Sequence, residues 1–189
     1  MLYKVNRIFK SIQGEGLLTG IPCVFIRFGE CNMNCNFCDT DFKQFTLMSA
    51  DEIVKTVLSF ELPHVVFTGG EPLLFDLFIL IQKLSSIDRW FHLETNGTIF
   101  CEYVTMFDYI SLSPKVGVKN IKLDYCDCLK ILYPYINKEI TADNFKDFPT
   151  SARVLQPINN KVSKEIINEL YRLKRWQLGL QIHKIIGVE

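Results

Sequence analysis

The sequence predicts an α/β fold, a parallel β-sheet that curls into a partial, open β/α barrel within a single domain of residues 1–189. Apolar runs of strand length alternate with helical patterns along the chain, which is typical of parallel sheets with crossover helices. Each run ends in a polar or glycine-containing cluster, and function in such folds lies at the carboxyl ends of the strands. A closed eight-stranded barrel needs about 250 residues, so we expect a shortened, open barrel.

Local patterns place the individual elements. Residues 3–10 alternate weakly and indicate an edge strand or ribbon, and the apolar run Pro22–Phe28 predicts a second strand. Ser49 and Glu52 have the spacing of a capping box, which predicts a helix that runs to about Phe60. Later strands are expected at residues 63–67, 90–94, 109–112, 129–133, 154–155 and 178–182, and helices at 73–84 and 163–175.

The composition bears on compartment and partners. Basic and acidic residues balance at 21 each, so charge gives no reason to expect a nucleic-acid or membrane partner. No run of 18 apolar residues and no secretory pattern occur, so we expect neither a transmembrane helix nor export. The seven cysteines are odd in number and partly clustered, which favours a reducing cytoplasm and a metal cluster over disulfides.

The stretch around Cys31, Cys35 and Cys38 carries the clearest chemistry. Its C-x3-C-x2-C spacing offers three thiolates, whereas a structural zinc site or a four-iron cluster held entirely by protein uses four ligands. Three thiolates on a four-iron cluster would leave one iron open to a small molecule. The alternative is a zinc knuckle or a set of buried structural thiols, although no fourth Cys or His lies close by in the sequence.

Four further cysteines lie outside this motif. Cys126 and Cys128 could ligate a second metal, supply the fourth corner of the cluster or be buried incidental thiols, and the last interpretation is favoured. Cys23 and Cys101 are interpreted as structural.

The C-x3-C-x2-C motif, with Phe37 before its last cysteine and Asp39 after it, resembles that of the radical S-adenosylmethionine superfamily. Gly69-Gly70-Glu71-Pro72 follows the next predicted strand and resembles the segment that holds the methionine ammonium, where glycine is expected because the ligand lies against the backbone. The resemblance implies a 4Fe-4S cluster on Cys31, Cys35 and Cys38 and a bound S-adenosylmethionine. The implied cofactor-binding residues are Phe37, Cys38, Asp39, Gly69, Gly70, Glu71, Ser113, Pro114, Lys115, Gln156 and Pro157.

Residues outside the cluster motif narrow the resemblance. The chain is similar to the 7-carboxy-7-deazaguanine synthase family at residues 9–16, 20–22, 25–27 and 38–40, at Thr68, at residues 94–97 and at Gln181-x-His183-Lys184. That family converts 6-carboxytetrahydropterin to 7-carboxy-7-deazaguanine, a ring contraction that loses ammonia. The product leads to the modified tRNA base queuosine and related deazapurines.

The same resemblance assigns substrate-binding residues, whose chemistry suits a pterin. Arg27 is a planar cationic fork for a carboxylate, Gln13 can donate and accept, and Glu15 can accept from ring amino groups. Thr40 is the implied ligand of a Mg²⁺ ion, which takes most of its ligands from water and substrate. The implied substrate-binding set is Ile12, Gln13, Gly14, Glu15, Arg27, Thr68, His183 and Glu189, the last through its terminal carboxylate.

Two further features carry expectations, the residue before the first cysteine and the last six residues of the chain. The family has Gly directly before the first cysteine, whereas this chain has Gly29-Glu30-Cys31, so we expect Glu30 to alter the cluster potential or the local fit. The last six residues contain three β-branched apolar side chains. We therefore expect the tail to fold over the mouth of the site, with Ile185, Ile186 and Val188 covering the pocket.

The resemblance also implies a reaction and its partners. A reduced cluster passes one electron to S-adenosylmethionine, and the resulting 5′-deoxyadenosyl radical takes hydrogen from C6 of the pterin. The implied partners are the small-molecule pterin, an electron donor such as flavodoxin and a second copy in a homodimer. A glycyl-radical-enzyme activase is an alternative that does not account for residues 11–16, and a non-catalytic iron–sulfur or zinc module leaves the strand-end motifs unexplained.

Overall fold

The computed structural model describes residues 1–38, 40–41, 43–86 and 88–189. The chain folds into two compact units, each described here by itself. The first unit comprises Met1–Ile12, Ile21–Thr95 and Cys101–Tyr109, and the second comprises Gln13–Gly20, Asn96–Phe100 and Ile110–Glu189. The expectation of a single domain stays a prediction.

The first unit contains a mixed sheet of strands β1 (Leu2–Ile12), β2 (Pro22–Phe28), β3 (Thr46–Ser49), β4 (His64–Gly69) and β5 (Trp90–Thr95). Their order is β3-β1-β2-β4-β5. β1 is antiparallel to β2 and β3, whereas β2, β4 and β5 run parallel. The strand expected at residues 3–10 is present, but its first residues lie between β2 and β3 and not at the edge of the sheet. The short strand β3, which the sequence did not indicate, pairs with the first residues of β1.

Two α-helices belong to the first unit, α1 (Ala50–Leu58) and α2 (Phe78–Ser85). The predicted capping box is confirmed, because the Glu52 amide donates to Ser49 Oγ and the Ser49 amide donates to Glu52 Oε2. α2 begins later than predicted. Pro72–Leu74 instead forms a 3₁₀ helix that ends at Phe75, whose φ and ψ of −107° and 143° are extended.

An aromatic core supports the carboxyl ends of β2 and β4. Tyr3, Phe28 and Phe67 have no solvent exposure, and Phe28 and Phe67 stack with centroids 6.4 Å apart. Phe67 meets the rings of Phe91 and Phe107 edge-on. These large rings hold β2 and β4 in register, so that the last residues of the two strands lie side by side.

The second unit contains the parallel strands β6 (Tyr109–Leu112, whose first residue belongs to the first unit), β7 (Cys126–Tyr133), β8 (Thr150–Pro157) and β9 (Gln177–Leu178). α3 (Lys164–Leu173) packs its buried Ile166 into this unit. The chain ends in α4 (Ile182–Ile186). Further 3₁₀ helices lie at Gly16–Leu18, Val104–Met106, Val118–Asn120 and Ile158–Asn160.

The prediction of a closing strand over residues 178–182 is largely wrong. β9 stops at Leu178, and Gly179 passes so close to β8 that a Cβ there would lie 2.4 Å from Val154 Cγ1. The Ile182 amide then donates to the Gly14 carbonyl at 2.9 Å. This loop contact replaces a strand ladder and starts α4.

The sequence led us to expect no transmembrane helix. Within the described parts of the chain, no helix combines the length and the apolar character that crossing a bilayer requires.

Replacing Ser49 with Ala tests the capping box of α1. The variant loses the side-chain acceptor for the Glu52 amide, and we expect its free energy of unfolding to fall by about 1 kcal/mol. Urea denaturation measures the change. Ser59→Ala, at the exposed carboxyl end of the same helix, is the matched control, with an expected change below about 0.5 kcal/mol. Equal losses in the two variants would contradict a specific contribution of the cap.

Candidate active site

The three motif cysteines lie in the loop that leaves β2 in the first unit. Cys31 and Cys35 are half-buried, and Cys38 is exposed. The Cys38 amide donates to the Cys35 carbonyl at 3.2 Å, a tight turn that draws the last two cysteines together. All three are free thiols. The loop therefore presents its sulfur atoms near the surface, where a cluster can be inserted and one of its corners can stay accessible.

Electrostatics also links these thiols. Burial raises the pKa of Cys31, a bond from the Met33 amide opposes this, and negative charge on Glu71, Cys35 and Cys38 raises it further. Among the described residues, no group of three or more His, Cys, Asp or Glu side chains is arranged to hold one metal ion. In a four-iron cluster each thiolate binds its own iron, so its ligands need not converge on one point. The three thiols of the loop can therefore each hold a different iron of one cluster.

The glycine pair at the end of β4 fits against the root of this loop. A Cβ on Gly70 would lie 1.8 Å from the carbonyl oxygen of Glu30, and one on Gly69, whose φ is +116°, would lie 2.4 Å from that of Phe28. The structure adds a second reason for glycine here, while the expected ligand lying against the backbone stays a prediction. The chain's own backbone fills the space that a Cβ would need.

Glu71 is completely buried and holds the turn that follows the glycine pair. Its Oε1 accepts from the Leu73 amide at 3.1 Å and from Thr95 Oγ1 at 2.7 Å. The carboxylate therefore caps the 3₁₀ helix and ties β4 to the end of β5. This structural role was not anticipated, and the role of Glu71 in holding the methionine ammonium stays a prediction.

Glu30, which stands where the family has glycine, adopts the left-handed conformation with a φ of 74°. For a non-glycine residue this conformation costs about 1 kcal/mol. Its carbonyl accepts from the Glu71 amide at 3.0 Å, and its side chain pairs with Lys4 at 2.8 Å. Position 29 also requires glycine, because a Cβ there would lie 2.7 Å from Phe45 Cβ. An effect of Glu30 on the cluster potential stays a prediction.

Arg27 and Thr68 are neighbours in the register of β2 and β4. The Arg27 guanidinium lies over the Phe9 ring, with Cζ 4.8 Å from the centroid, a contact that orients a planar cation. Thr68 donates through Oγ1 to Glu94 Oε2 at 2.6 Å. The sheet thus brings two predicted substrate residues together at its carboxyl edge.

The remaining predicted residues of the first unit lie near the cysteines or at the end of β1. Phe37 and Thr40 are half-buried, and the Thr40 carbonyl accepts from Cys38 Sγ at 3.6 Å. Ile12 is the last residue of β1 and pairs with Pro22. Asp39, predicted to contact the cofactor, lies outside the described residues.

Glu15 is the centre of a polar network in the second unit. Its Oε2 accepts from Lys130 Nζ in a short ion pair, and its Oε1 accepts from Gln181 Nε2 at 2.7 Å. The Glu15 amide donates to Oε1 of Gln13, which is almost fully buried. Glu15 is therefore not a solvated loop charge, because its carboxylate is fixed by donors from two different elements.

His183 packs on the backbone of Gly14. A Cβ on Gly14 would lie 1.8 Å from His183 Nδ1, so this position accepts only glycine. The structure thereby brings together two predicted substrate residues that are far apart in sequence. Glu189, whose terminal carboxylate was predicted to contact the substrate, is exposed at the chain end.

The tail is ordered, as α4 with Gly187 in the left-handed conformation at its end. The expectation that its apolar side chains cover a pocket is not met, because Ile185 and Ile186 are 58% and 57% exposed and Val188 is 44% exposed. Within α4 and the residues after it, these side chains face solvent.

Two groups of predicted cofactor residues also lie in the second unit, Ser113–Lys115 and Gln156–Pro157. Lys115 Nζ donates to the carbonyl and to Oγ of Ser113, at 2.8 and 2.7 Å, which closes a compact turn around the buried Pro114. Gln156 and Pro157 end β8, as expected. Gln156 is 3% exposed, and its Oε1 has no hydrogen-bond partner among the described residues, so it fits a role as acceptor for a bound donor.

Sequence reasoning did not identify Lys130 as part of the site. Nothing in the pattern of β7 marks it, since its significance comes from a partner 115 residues away. Gln181 and Lys184 had a signal, the Gln-x-His-Lys ending, but only His183 was assigned a role from it. Cys126 and Cys128 are fully buried in β7, and burial raises the pKa of Cys126 to about 12. Their burial agrees with the interpretation of Cys126 and Cys128 as buried thiols.

Comparisons with known proteins agree with this geometry. Residues 25–153 match the model of the Radical SAM superfamily. A relative from Bacteroides thetaiotaomicron, named 7-carboxy-7-deazaguanine synthase, is 37% identical over the full length of both chains. A relative of the same name from Rickettsia prowazekii is 35% identical over 98% of this chain and 88% of the relative. The crystal structure of QueE from Escherichia coli matches with a TM-score of 0.79 over 97% of this chain and 95% of that chain, at 24% identity.

The three-cysteine loop at the carboxyl end of a parallel strand and the superfamily match together define a radical S-adenosylmethionine enzyme. Within that class, the chain belongs to the 7-carboxy-7-deazaguanine synthase family. The predicted fold class, a shortened open α/β barrel of the radical S-adenosylmethionine type, is confirmed. A 4Fe-4S cluster and S-adenosylmethionine are the cofactors that this family membership implies.

Replacing Cys31, Cys35 or Cys38 by Ala tests the ligand set. Each variant should lose the cluster and its activity after anaerobic reconstitution, because the motif has no spare thiolate. Iron and sulfide content measure retention. The double variant Cys126→Ala/Cys128→Ala is the control and should keep the cluster, since both thiols are buried in β7. Equal cluster loss in the double variant would contradict a three-cysteine site.

Proposed function

We propose that this chain converts 6-carboxy-5,6,7,8-tetrahydropterin to 7-carboxy-7-deazaguanine, with loss of ammonia, in the biosynthesis of queuosine and related deazapurines. The observation that carries the proposal is the register of β2 and β4, which sets Arg27 beside Thr68. Arg27 itself lies four residues before Cys31, the first cluster cysteine. A planar cation for a carboxylate thus stands next to the radical-generating loop. The full-length relationship to named synthases supports the same reaction.

When bound, the cluster and S-adenosylmethionine supply the organic radical that starts the rearrangement. Cys31, Cys35 and Cys38 hold the cluster. Gly69, Gly70 and Glu71 hold the methionine ammonium. An ammonium only donates hydrogen bonds, so it would be held through carbonyl oxygens of this segment, whose Gly70 and Glu71 amides donate to Phe28 and Glu30. Gln156, with its buried Oε1, accepts from the cofactor. Phe37, Asp39, Ser113, Pro114, Lys115 and Pro157 complete the proposed cofactor set.

The pterin is bound by side chains that match its donors and acceptors. Arg27 pairs with the carboxylate, while Gln13 and Glu15 bind the amino-pyrimidinone edge, where acceptors face ring N–H groups. His183 packs against Gly14 and presents its ring beside the Glu15 loop. Ile12, Gly14, Thr68 and the terminal carboxylate of Glu189 complete the proposed substrate set.

The proposal also includes a metal ion, an electron donor and an oligomeric state. Thr40 would supply one hydroxyl ligand to a Mg²⁺ ion, and its contact with Cys38 places it beside the cluster ligands. A cytoplasmic reductant such as flavodoxin supplies the electron. The enzyme works as a homodimer. A glycyl-radical-enzyme activase is not favoured, since the relatives carry the synthase name.

The proposal is tested directly by anaerobic turnover. Reconstituted protein with S-adenosylmethionine, Mg²⁺ and a reductant should form 7-carboxy-7-deazaguanine from the pterin, detected by mass spectrometry. The Cys35→Ala variant is the negative control. Cleavage of S-adenosylmethionine without any deazaguanine product would overturn the substrate assignment while leaving the enzyme class intact.

Arg27→Ala tests recognition of the pterin. The variant should still cleave S-adenosylmethionine slowly without substrate but lose product formation, because removing a partner of a desolvated charge pair costs about 2–5 kcal/mol. Pterin affinity and 5′-deoxyadenosine release are measured separately. Arg7→Ala is the matched control, since Arg7 also lies over the Phe9 ring but is exposed. Full turnover by Arg27→Ala would exclude the assignment.

Thr40→Ala tests the magnesium ligand. The variant should need a higher Mg²⁺ concentration for half-maximal rate, whereas Thr40→Ser should stay close to wild type because it keeps the hydroxyl. Product formation is measured against Mg²⁺ concentration. If Thr40→Ala and wild type respond alike at limiting Mg²⁺, Thr40 is not a ligand.

A further inference from the structure

The ion pair between Lys130 and Glu15 joins β7 to the loop at residues 13–16 within the second unit. The two side chains are only 13% and 15% exposed. Removing two charged groups from water to this extent costs desolvation free energy on both partners. An ion pair in such a position therefore suggests a functional role.

The second oxygen of the same carboxylate is also held. Gln181 Nε2 donates to Glu15 Oε1 at 2.7 Å, and Lys184 Nζ donates to Gln181 Oε1 at 2.9 Å. Because Lys184 can only donate, it fixes which end of the Gln181 amide faces Glu15. A chain of directed bonds therefore leads from Lys184 through Gln181 to Glu15, and Lys130 closes it from the other side.

The geometry of β7 explains why Lys130 reaches this loop. Cys128 and Lys130 are two residues apart on one strand, so their side chains lie on the same face. Gly16, with a φ of +67°, passes close to that face, and a Cβ on it would lie 3.4 Å from Cys128 Sγ. The loop that carries Glu15 therefore lies over β7, where Lys130 meets it.

We propose that Lys130 is a positioning residue for pterin binding, which holds the Glu15 carboxylate in a single orientation so that it accepts N–H bonds from the substrate. This inference rests on the proposed function, in which Glu15 binds the amino-pyrimidinone edge. A carboxylate oxygen can accept more than one hydrogen bond, so a bond from Lys130 is compatible with one from the substrate. Lys130 thus orients the acceptor without using up its capacity.

Removing Lys130 leaves the carboxylate with the Gln181 amide as its remaining donor within this network. The charge would then be poorly compensated and free to turn, and pterin affinity should fall roughly 10- to 100-fold. The cluster cysteines belong to the first unit, and Glu15, the partner of Lys130, belongs to the proposed pterin-binding set. Cleavage of S-adenosylmethionine without pterin should therefore stay unchanged, which separates a positioning role from a general loss of structure.

The experiment compares pterin dissociation constants in cluster-loaded protein with S-adenosylmethionine bound and no reductant, so that no turnover occurs. Lys130→Met should show the predicted loss, while Lys130→Arg, which keeps a cationic donor, should stay within about threefold of wild type. Lys138→Met, an exposed lysine of the same unit, is the matched control. If Lys130→Met does not fold, Lys130→Gln is measured in its place.

A double-mutant cycle with Glu15→Gln shows whether Lys130 acts through Glu15. The effect of Lys130→Met on pterin affinity should largely disappear in the Glu15→Gln background, because the partner charge is already gone. An undiminished effect there, or unchanged affinity in Lys130→Met while wild type binds and converts the pterin, would overturn the positioning role alone. Failure of wild type to bind the pterin would overturn this role and the proposed function together.

Discussion

The carboxyl end of β4 lies directly against the root of the cysteine loop, and this backbone contact shapes the chemistry of the first unit. The Gly70 amide donates to the Phe28 carbonyl and the Glu71 amide to the Glu30 carbonyl, both at 3.0 Å. The close approach leaves no room for a Cβ on Gly70. The glycine pair and the conformation of Glu30, with its φ of 74°, are therefore two consequences of one packing constraint. Through it, the loop that presents the thiols is anchored on a rigid sheet, as a preformed site requires.

A different kind of constraint organises the second unit. There the chain end and the loop at residues 13–16 are joined by a backbone bond, by the packing of His183 on Gly14 and by the bonds to Glu15. A loop is normally the least precise place for a binding residue. Here a strand residue, Lys130, and the start of α4 hold the carboxylate from two sides. The precision of the loop thus comes from elements distant in sequence.

The features that the sequence predicted well are those set by local chemistry. The cysteine spacing, the capping box at Ser49 and Glu52 and the apolar runs of β2 and β6 depend on neighbours a few residues away, and all appear in the structure. The ends of β2, β4, β5, β6, β7 and β8 also lie within two residues of their predicted positions, so the loops that carry the candidate residues begin where they were expected. Resemblance to a family added roles that spacing alone could not supply.

The features that were missed depend on contacts distant in sequence. β3 has no distinctive pattern and is a strand only because β1 is available to pair with it. The last predicted strand ends early, because the Gly179 amide makes the last bond to β8 and the Ile182 amide donates to the Gly14 carbonyl, where α4 begins. The importance of Lys130 follows from Glu15, and the need for glycine at position 70 follows from Glu30. None of these partners can be read from a sequence window.

The central claim is that three cysteines leave one iron of the cluster open to S-adenosylmethionine. Electron–nuclear double resonance on the reduced, reconstituted protein, with S-adenosylmethionine labelled by ¹⁵N at the amino group, tests it most directly. The account predicts a hyperfine coupling between the cluster and the label, because the methionine amino group would bind the open iron as a neutral amine while its N–H groups donate to the segment Gly69–Glu71. A reduced cluster that shows no coupling to the label would contradict it, since every iron would then already be held by other ligands.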